Sequence, residues 1–294
     1  MNNNIIEIKE CYADYDIHDE VVIHYGITLN CNLKCKYCIR VAKEEYKSDI
    51  FEFLSELDKF YELNKRKIIL RISGGEPLLS KNFKILLLES IKKDYINEIE
   101  IFTNGTLLND NLISLINILN SSKHIRLYNT IHISQLNYDQ INSIISQVNL
   151  LKCKVIRLFI VDYKTALSSE EVINILIQSK YEYMYNTNDI EDSRKVLDLL
   201  CLPESNYQLK INGCDSSEFA VYDYNKFNFN GFTCNAGYDF VFYINKKIYR
   251  CVSFIDSKTD IKEKLSNYKL SKVICPHKRC KCERSIYKHN KKLK

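Results

Sequence analysis

The chain has 294 residues, 46% of them hydrophobic, with 12 cysteines, 7 glycines and 3 prolines, enough length and apolar content for one large domain and a small appendage. Its net charge of +5, from 42 Lys and Arg against 37 Asp and Glu, is too slight to mark a nucleic-acid binder, and part of it sits in the lysine-rich stretch 288–294. No basic-then-apolar leader and no apolar run of membrane-spanning length occurs, so the expectation is a cytoplasmic protein with no nucleic-acid and no membrane partner. In a reducing compartment twelve cysteines are out of place as disulfides, and their clustered spacing argues for metal ligation. Cys11, Cys153 and Cys201 stand alone and read as small buried hydrophobes.

Residues 1–19 read as a lead-in. A strand follows over 20–28, where Val21, Val22, Ile23, Tyr25 and Ile27 are β-branched or aromatic and the Leu29-Asn30 turn closes the run. Directly after it comes Cys31-Asn32-Leu33-Lys34-Cys35-Lys36-Tyr37-Cys38. Phe51, Leu54, Leu57, Phe60 and Tyr61 share one helical face and predict a helix over 48–64, started by Ser48-Asp49. A second strand, 67–72, runs into Ser73-Gly74-Gly75-Glu76-Pro77, where adjacent glycines permit unusual torsions and close main-chain approach.

A helix over 81–94, a strand over 98–102 and the exit turn Thr103-Asn104-Gly105 come next. The pattern repeats as helix 109–121, a strand within 125–134, helix 139–149, strand 155–161 and helix 169–179 with a Ser168/Ser169 cap. A sixth strand over 181–185 and a sixth helix over 189–200 complete it, and such alternation means a parallel sheet. Past Cys201-Leu202-Pro203 the long apolar period stops, which puts a domain boundary near 201–205. Two apolar runs, 240–245 and 248–254, then suggest a hairpin across Lys246-Lys247. Around it lie Cys234, Cys251, Cys275, Cys280 and Cys282.

Cys31, Cys35 and Cys38, separated by three and then two residues, can turn three sulfurs toward one centre. Soft thiolates select zinc, copper(I) or iron-sulfur clusters. A protein-bound cubane usually takes four cysteines; a three-cysteine loop either borrows a fourth ligand or leaves one metal open. A structural zinc loop completed from a distance is the alternative.

The cysteine loop with Tyr37 before its last cysteine, the Gly-Gly-Glu-Pro turn after the second strand and the Thr-Asn-Gly turn after the third together resemble the radical S-adenosylmethionine (SAM) superfamily. That resemblance implies a partial (βα)6 barrel over 20–203. It implies a 4Fe-4S cluster on Cys31, Cys35 and Cys38 whose open iron chelates SAM, giving methionine and a 5'-deoxyadenosyl radical that takes a hydrogen atom from substrate. Tyr37, Gly74, Gly75, Glu76, Pro77, Asn104 and Ser134 fall at cofactor-binding positions, Gly74, Gly75 and Glu76 facing the methionine ammonium. Relatives commonly continue Ser134 with Asp-Gly, where this chain has Gln135-Leu136-Asn137.

Cys234 and Cys251 across a hairpin resemble the auxiliary-cluster extension of the SPASM and Twitch subgroups, implying a small cysteine-rich domain over 204–294 with a second 4Fe-4S cluster. Two or more of Cys275, Cys280 and Cys282 would complete it; a zinc knuckle with His277 or His289 is the alternative. The subgroup's hairpin glycine is replaced by Lys246, with Asn245 able to take the left-handed turn. The expected activity is oxidation, epimerisation or crosslinking of a ribosomal peptide or of a sugar- or aminocyclitol-type small molecule. A flavodoxin- or ferredoxin-type protein would supply the electron. The alternative is a non-enzymatic, zinc- or cluster-stabilised binding module.

Overall fold

Strand β1 (Val21–Thr28) is buried at all eight positions, as befits a strand with neighbours on both edges and both faces covered. The computed structural model describes residues 20–35, 38, 49–161, 170–178, 184–187, 233–251, 260–261 and 263–274. Beside β1 lie, in order and all parallel, β2 (Ile68–Gly74), β3 (Ile96–Thr103), β4 (His124–His132), β5 (Lys154–Val161) and β6 (Met184–Thr187). Helices α1 (Ile50–Asn64), α2 (Phe83–Ile91), α3 (Asp110–Asn120), α4 (Tyr138–Asn149) and α5 (Glu170–Gln178) fall between successive strands. The result is a partial βα core on an open sheet.

The free edge of β1 takes β8 (Phe240–Ile244) in parallel, and β8 turns back antiparallel into β9 (Lys247–Tyr249). The cysteine-containing extension is thus hydrogen bonded into the core sheet through its hairpin. Two further short strands, β7 (Thr233–Cys234) and β10 (Val273–Ile274), form an antiparallel pair. The extension is also tied to α1: Glu56 accepts from Leu265 N–H at 2.8 Å, and Asn64 bonds both Tyr268 O and Leu270 N–H. Arg66 reaches Glu20 O at 2.9 Å and Tyr238 O at 2.7 Å.

Local chemistry sets the helix starts. Asp49 caps α1 by accepting from Phe51 N–H and Glu52 N–H, and Asn137 forms a capping box with Gln140 on α4. Several boundaries differ from those read in the sequence. α2 is shorter at both ends, residues 81–82 and 92 being turns, and Pro77–Leu79 makes a separate 3-10 turn before it. β6 is described over Met184–Thr187, and positions 181–183 of the expected strand lie outside the described residues. Ser134 belongs to a 3-10 turn, Ile133–Gln135, because β4 loses its pairing with β5 after His132. The hairpin turn is Asn245-Lys246, with φ 51° and 61°, so Lys247 is in the strand. Both residues are left-handed, as the favoured two-residue hairpin turns require. The lead-in 1–19, the helix expected over 189–200 and the boundary near 201–205 lie outside the described residues.

The sheet's two faces are unlike. Toward the helices, Val21, Ile23, Tyr25 and Ile27 join Ile68, Leu70, Ile72, Ile99, Ile101, Leu127 and the Phe53, Leu57 and Phe60 of α1 in one apolar core. Tyr25 stacks on Phe53 with ring centres 3.8 Å apart. Each such side chain contributes about 1.5–3 kcal/mol on full burial. The helix-free face carries ions and rings instead. Arg71 pairs with Glu100 at 2.6 Å and Arg126 with Glu98 at 3.0 Å, while the Tyr128 hydroxyl donates to Glu100 at 2.9 Å. His24 bonds Ser73 and stacks on Phe242, and Phe102 stacks on Tyr128. Burial pushes the Glu100 carboxyl up, but the Arg71 charge and hydrogen bonds outweigh it and hold the carboxyl below its usual range. The charges of this face are therefore paired with one another.

Candidate active site at the C-terminal rim

The exit turns of β1, β2 and β3 carry the cysteine loop, Gly-Gly-Glu-Pro and Thr-Asn-Gly, side by side because their strands are neighbours. The first two turns meet at main-chain contact. Gly75 N–H donates to Thr28 O and Glu76 N–H to Asn30 O, both at 2.8 Å. A β-carbon on Gly74 would stand 2.1 Å from Thr28 O, and one on Gly75 2.1 Å from Asn30 O. Gly74 also has φ 149°, so the position favours glycine twice over.

Glu76 fastens the second turn to the third. It is fully buried, and Pro77 follows it at the start of the 3-10 turn. Its Oε1 accepts from Leu78 N–H at 3.1 Å and the Thr103 hydroxyl at 2.8 Å, its Oε2 from Asn104 N–H at 2.7 Å. Gly105 N–H donates to Thr103 Oγ1 at 3.0 Å, which leaves the threonine proton for Glu76. Burial pushes the Glu76 carboxyl above its usual range, and these three donors pull against it. A carboxylate has about four acceptor sites, so among the described residues one on Oε2 is left over.

The third turn reaches back to the cysteine loop. Asn104 Nδ2 donates to Asn32 Oδ1 at 3.0 Å and to Cys31 Sγ at 3.9 Å, and Asn32 Nδ2 donates to Thr106 Oγ1 at 2.7 Å. From the fourth strand's exit, Gln135 Oε1 accepts from Lys34 N–H at 3.3 Å, while its Nε2 donates to Ser134 O at 3.2 Å. The residue after Ser134 thus makes the contact to the loop. Nothing in the sequence motifs marked Asn32, Thr106 or Gln135; polar side chains in turns adjoining a ligand loop would have been the signal. His132, half-buried at the end of β4, has its imidazole pushed down to about 4 by burial.

Cys31 and Cys38 are exposed and Cys35 is half-buried, and none of the three is in a disulfide among the described residues. Cys38 N–H donates to Cys35 O at 3.1 Å, and Leu33 N–H to Cys31 Sγ at 3.4 Å. Burial pushes the Cys31 thiol above its ordinary value; Leu33 N–H opposes the rise, Glu76 and Cys38 add to it, and the Asn104 amide opposes it. Among the described residues, no three His, Cys, Asp or Glu side chains stand already gathered as a metal cage. The donor set nevertheless fits a cluster: three soft thiols on one loop that is tied at both Asn32 and Lys34, where binding would complete the convergence. Tyr37 lies outside the described residues.

Cys234 and Cys251 are brought together at the opposite end of the sheet. Both are buried in one apolar cluster with Val22, Ile69, Ala236, Phe240, Phe242 and Tyr249. Val22 and Thr28 are six residues apart on β1, which at about 3.3 Å per residue separates the two cysteine fields by roughly 20 Å. Ala236 N–H donates to Cys234 Sγ at 3.4 Å, and β10, paired with Cys234 through Val273, ends just before Cys275. Cys275, Cys280 and Cys282 lie outside the described residues.

Comparison with known proteins agrees with this geometry. The profile of the Radical SAM superfamily matches residues 25–142. A probable GTP 3',8-cyclase of Methanococcus maripaludis is 40% identical over 86 residues, a stretch that spans 28% of this chain and 28% of that relative. Streptococcus suis SuiB bound to S-adenosylmethionine shares the fold with a TM-score of 0.58 at 17% identity, over 86% of this chain and 64% of SuiB. anSMEcpe bound to AdoMet and the Cp18Cys peptide does so with a TM-score of 0.57 at 18% identity, over 84% of this chain and 78% of that one. Residues 25–142, which hold the cysteine loop, the Gly-Gly-Glu-Pro turn and the Thr-Asn-Gly turn, are a domain of the radical SAM superfamily.

Proposed function

We propose that this protein is a radical SAM enzyme that cleaves SAM reductively at Cys31, Cys35 and Cys38 and takes a hydrogen atom from a peptide or a sugar-type small molecule. The observation that carries the reading is the meeting of three motif turns at one rim, laced by Glu76 and Asn104. When bound, a 4Fe-4S cluster and SAM supply the one-electron chemistry and the 5'-deoxyadenosyl radical. The chain's own residues bind and orient. Cys31, Cys35 and Cys38 would hold three irons, and the Gly74-Gly75 main chain with the spare Glu76 site would receive the methionine ammonium. Ser134 and Gln135, at the exit of β4 with Gln135 bonded to Lys34 of the cysteine loop, would border the remainder of SAM. On the sheet's inner face Arg71 and Glu100, and Arg126 and Glu98, are engaged with each other rather than with the place for the cofactor's carboxylate or ammonium.

Cys234 and Cys251, completed from Cys275, Cys280 and Cys282, would hold an auxiliary 4Fe-4S cluster of the Twitch type, able to accept an electron from a substrate radical. Two solved relatives of the fold are described with bound peptides, SuiA and Cp18Cys, and the matched cyclase is named for a nucleotide; both classes belong in the substrate trial. The twelve cysteines suit a reducing, cytoplasmic setting with a flavodoxin- or ferredoxin-type electron donor. Among the described residues, no helix is long and apolar enough to cross a membrane.

The test is anaerobic reconstitution with iron and sulfide counting and a dithionite-driven SAM cleavage assay, on wild type and on Cys31, Cys35 and Cys38 all changed to Ala. The expectation is about eight irons in wild type, the sum of two cubanes, and about four with no 5'-deoxyadenosine in the triple variant. Zinc at either field would overturn the cluster assigned there, and SAM left intact would make the binding module the reading to pursue.

A further inference from the structure

Resting on the reading above, the geometry assigns Asn104 as a positioning residue whose side-chain amide donates to the Cys31 sulfur and raises the reduction potential of the SAM-binding cluster. The orientation follows from a single main-chain group. Thr106 N–H can only donate, so the Asn104 atom 3.0 Å from it must be the oxygen. The Asn104 NH2 therefore faces the cysteine loop, and the Asn32 atom 3.0 Å away must in turn be an oxygen. That directs the Asn32 NH2 to the Thr106 hydroxyl at 2.7 Å, whose own proton goes to Asn104 Oδ1 at 2.6 Å. The three side chains close a ring in which every donor has one acceptor. The ring consumes one hydrogen of the Asn104 NH2, and the other faces Cys31 Sγ at 3.9 Å.

The amide cannot swing away. Asn104 is buried, its own N–H is held by Glu76 Oε2 at 2.7 Å, and its oxygen takes two bonds from Thr106. Of the two groups that donate to Cys31 Sγ among the described residues, Leu33 N–H is main chain and fixed by the fold, so Asn104 is the one of these that sequence can vary. A donor on a ligand sulfur withdraws negative charge and stabilises the cluster state with one more electron. The residue thus makes this cluster easier to reduce, in addition to holding the loop in register.

The experiment is a potentiometric titration of the reconstituted protein followed by electron paramagnetic resonance, reading the signal that added SAM perturbs so that the auxiliary centre is set aside. Asn104→Asp keeps the oxygen that Thr106 needs and replaces the donor with an acceptor. It should lower the reduced-to-oxidised ratio at a fixed potential by about tenfold, equivalent to about 59 mV for a one-electron couple. Thr106→Val, which opens the ring by removing the hydroxyl bond to Asn104 Oδ1 while leaving Asn104 itself in the sequence, should lower it in the same direction by a smaller factor, and Thr106→Ser should restore it. A midpoint unchanged in Thr106→Val, or in Asn104→Asp with its iron intact, overturns the assignment while leaving the enzyme reading standing. A wild type with no SAM-sensitive signal overturns both.

Discussion

Replacing Glu76 by Gln is a near-isosteric change that asks whether the buried carboxylate organises the rim. Glu76 is fully buried and receives three protein donors, two of them main-chain N–H groups. The amide can keep its oxygen toward Leu78 and Thr103, but its NH2 then faces Asn104 N–H, donor against donor. The loss is one hydrogen bond to a charged group, about 1.5–3 kcal/mol, partly offset because a neutral side chain is less penalised by burial. A net loss of about 2 kcal/mol corresponds to a fall in melting temperature of roughly 4–8 °C. The assay is thermal unfolding of the apoprotein, which keeps cluster content out of the result. Glu76→Ala, with all three donors unpaired, should fall further. Acidity supplies an internal control. Because burial raises the folded-state value above the ordinary 4.5, folding favours protonated Glu76. Its contribution is complete below the unfolded value and is lost as pH rises through the folded one, so the wild-type advantage over Gln should be larger at pH 5 than at pH 8. A Gln variant that melts with the wild type at both pH values would refute the role given to the carboxylate.

Three further outcomes follow from the same geometry. Gly75→Ala puts a β-carbon 2.1 Å from Asn30 O, a main-chain atom that cannot rotate aside; the variant should lose at least about 2 kcal/mol by urea unfolding and bind less iron, and equal stability would show that the β1 and β2 exits are not in contact. Arg71→Leu takes from the buried Glu100 its partner at 2.6 Å, leaving it only Tyr128 at 2.9 Å and Arg126 at 3.6 Å among the described residues, and should cost about 3 kcal/mol, while adding Glu100→Leu should recover most of it. Additive losses in that pair would sink the claim that the inner face is held by paired charge. His132, held down to about 4 by burial, contributes stability that is complete above the unfolded 6.5 and is lost as pH falls through the folded value. Lowering the pH from 7.5 to 5 should therefore cost wild type about 2 kcal/mol more than His132→Gln, measured by urea unfolding at the two pH values.

How much of this was legible in the sequence depended on the range of each interaction. Helices and strands announced themselves through periodicity, since Leu54, Leu57 and Phe60 recur on one buried face of α1, although Phe51, read with them, is exposed and Phe53 is buried instead, and cap residues such as Asp49 act within three positions. The cysteine loop and the Gly-Gly-Glu-Pro turn were readable because their chemistry is local. What escaped is long-range and aperiodic. The parallel pairing of β8 with β1 joins His24 to Phe242, and no pattern in either strand names its partner, so the hairpin was read as belonging wholly to a separate unit. The fourth strand is expected within 125–134, yet its pairing with β5 ends at His132.

The rim shows the same division more sharply. The sequence marks Cys31, Glu76 and Asn104 as three unconnected motif residues. The fold turns them into one chain of bonds, Glu76 to Asn104 N–H and Asn104 Nδ2 to Cys31, with Thr106 and Asn32 closing the ring beside it. Polar residues in turns carry no periodic signal, and whether an asparagine solvates, caps or donates to a sulfur is decided by neighbours dozens of positions away. Asn104 and Asn32 are 72 residues apart. Their meeting requires only that β1, β2 and β3 be parallel neighbours, because parallel strands bring all their exit turns to the same rim. The functional geometry is thus a consequence of strand order: given that order, three short motifs must share one edge, and the hydrogen bonds between them decide which atoms face the sulfur.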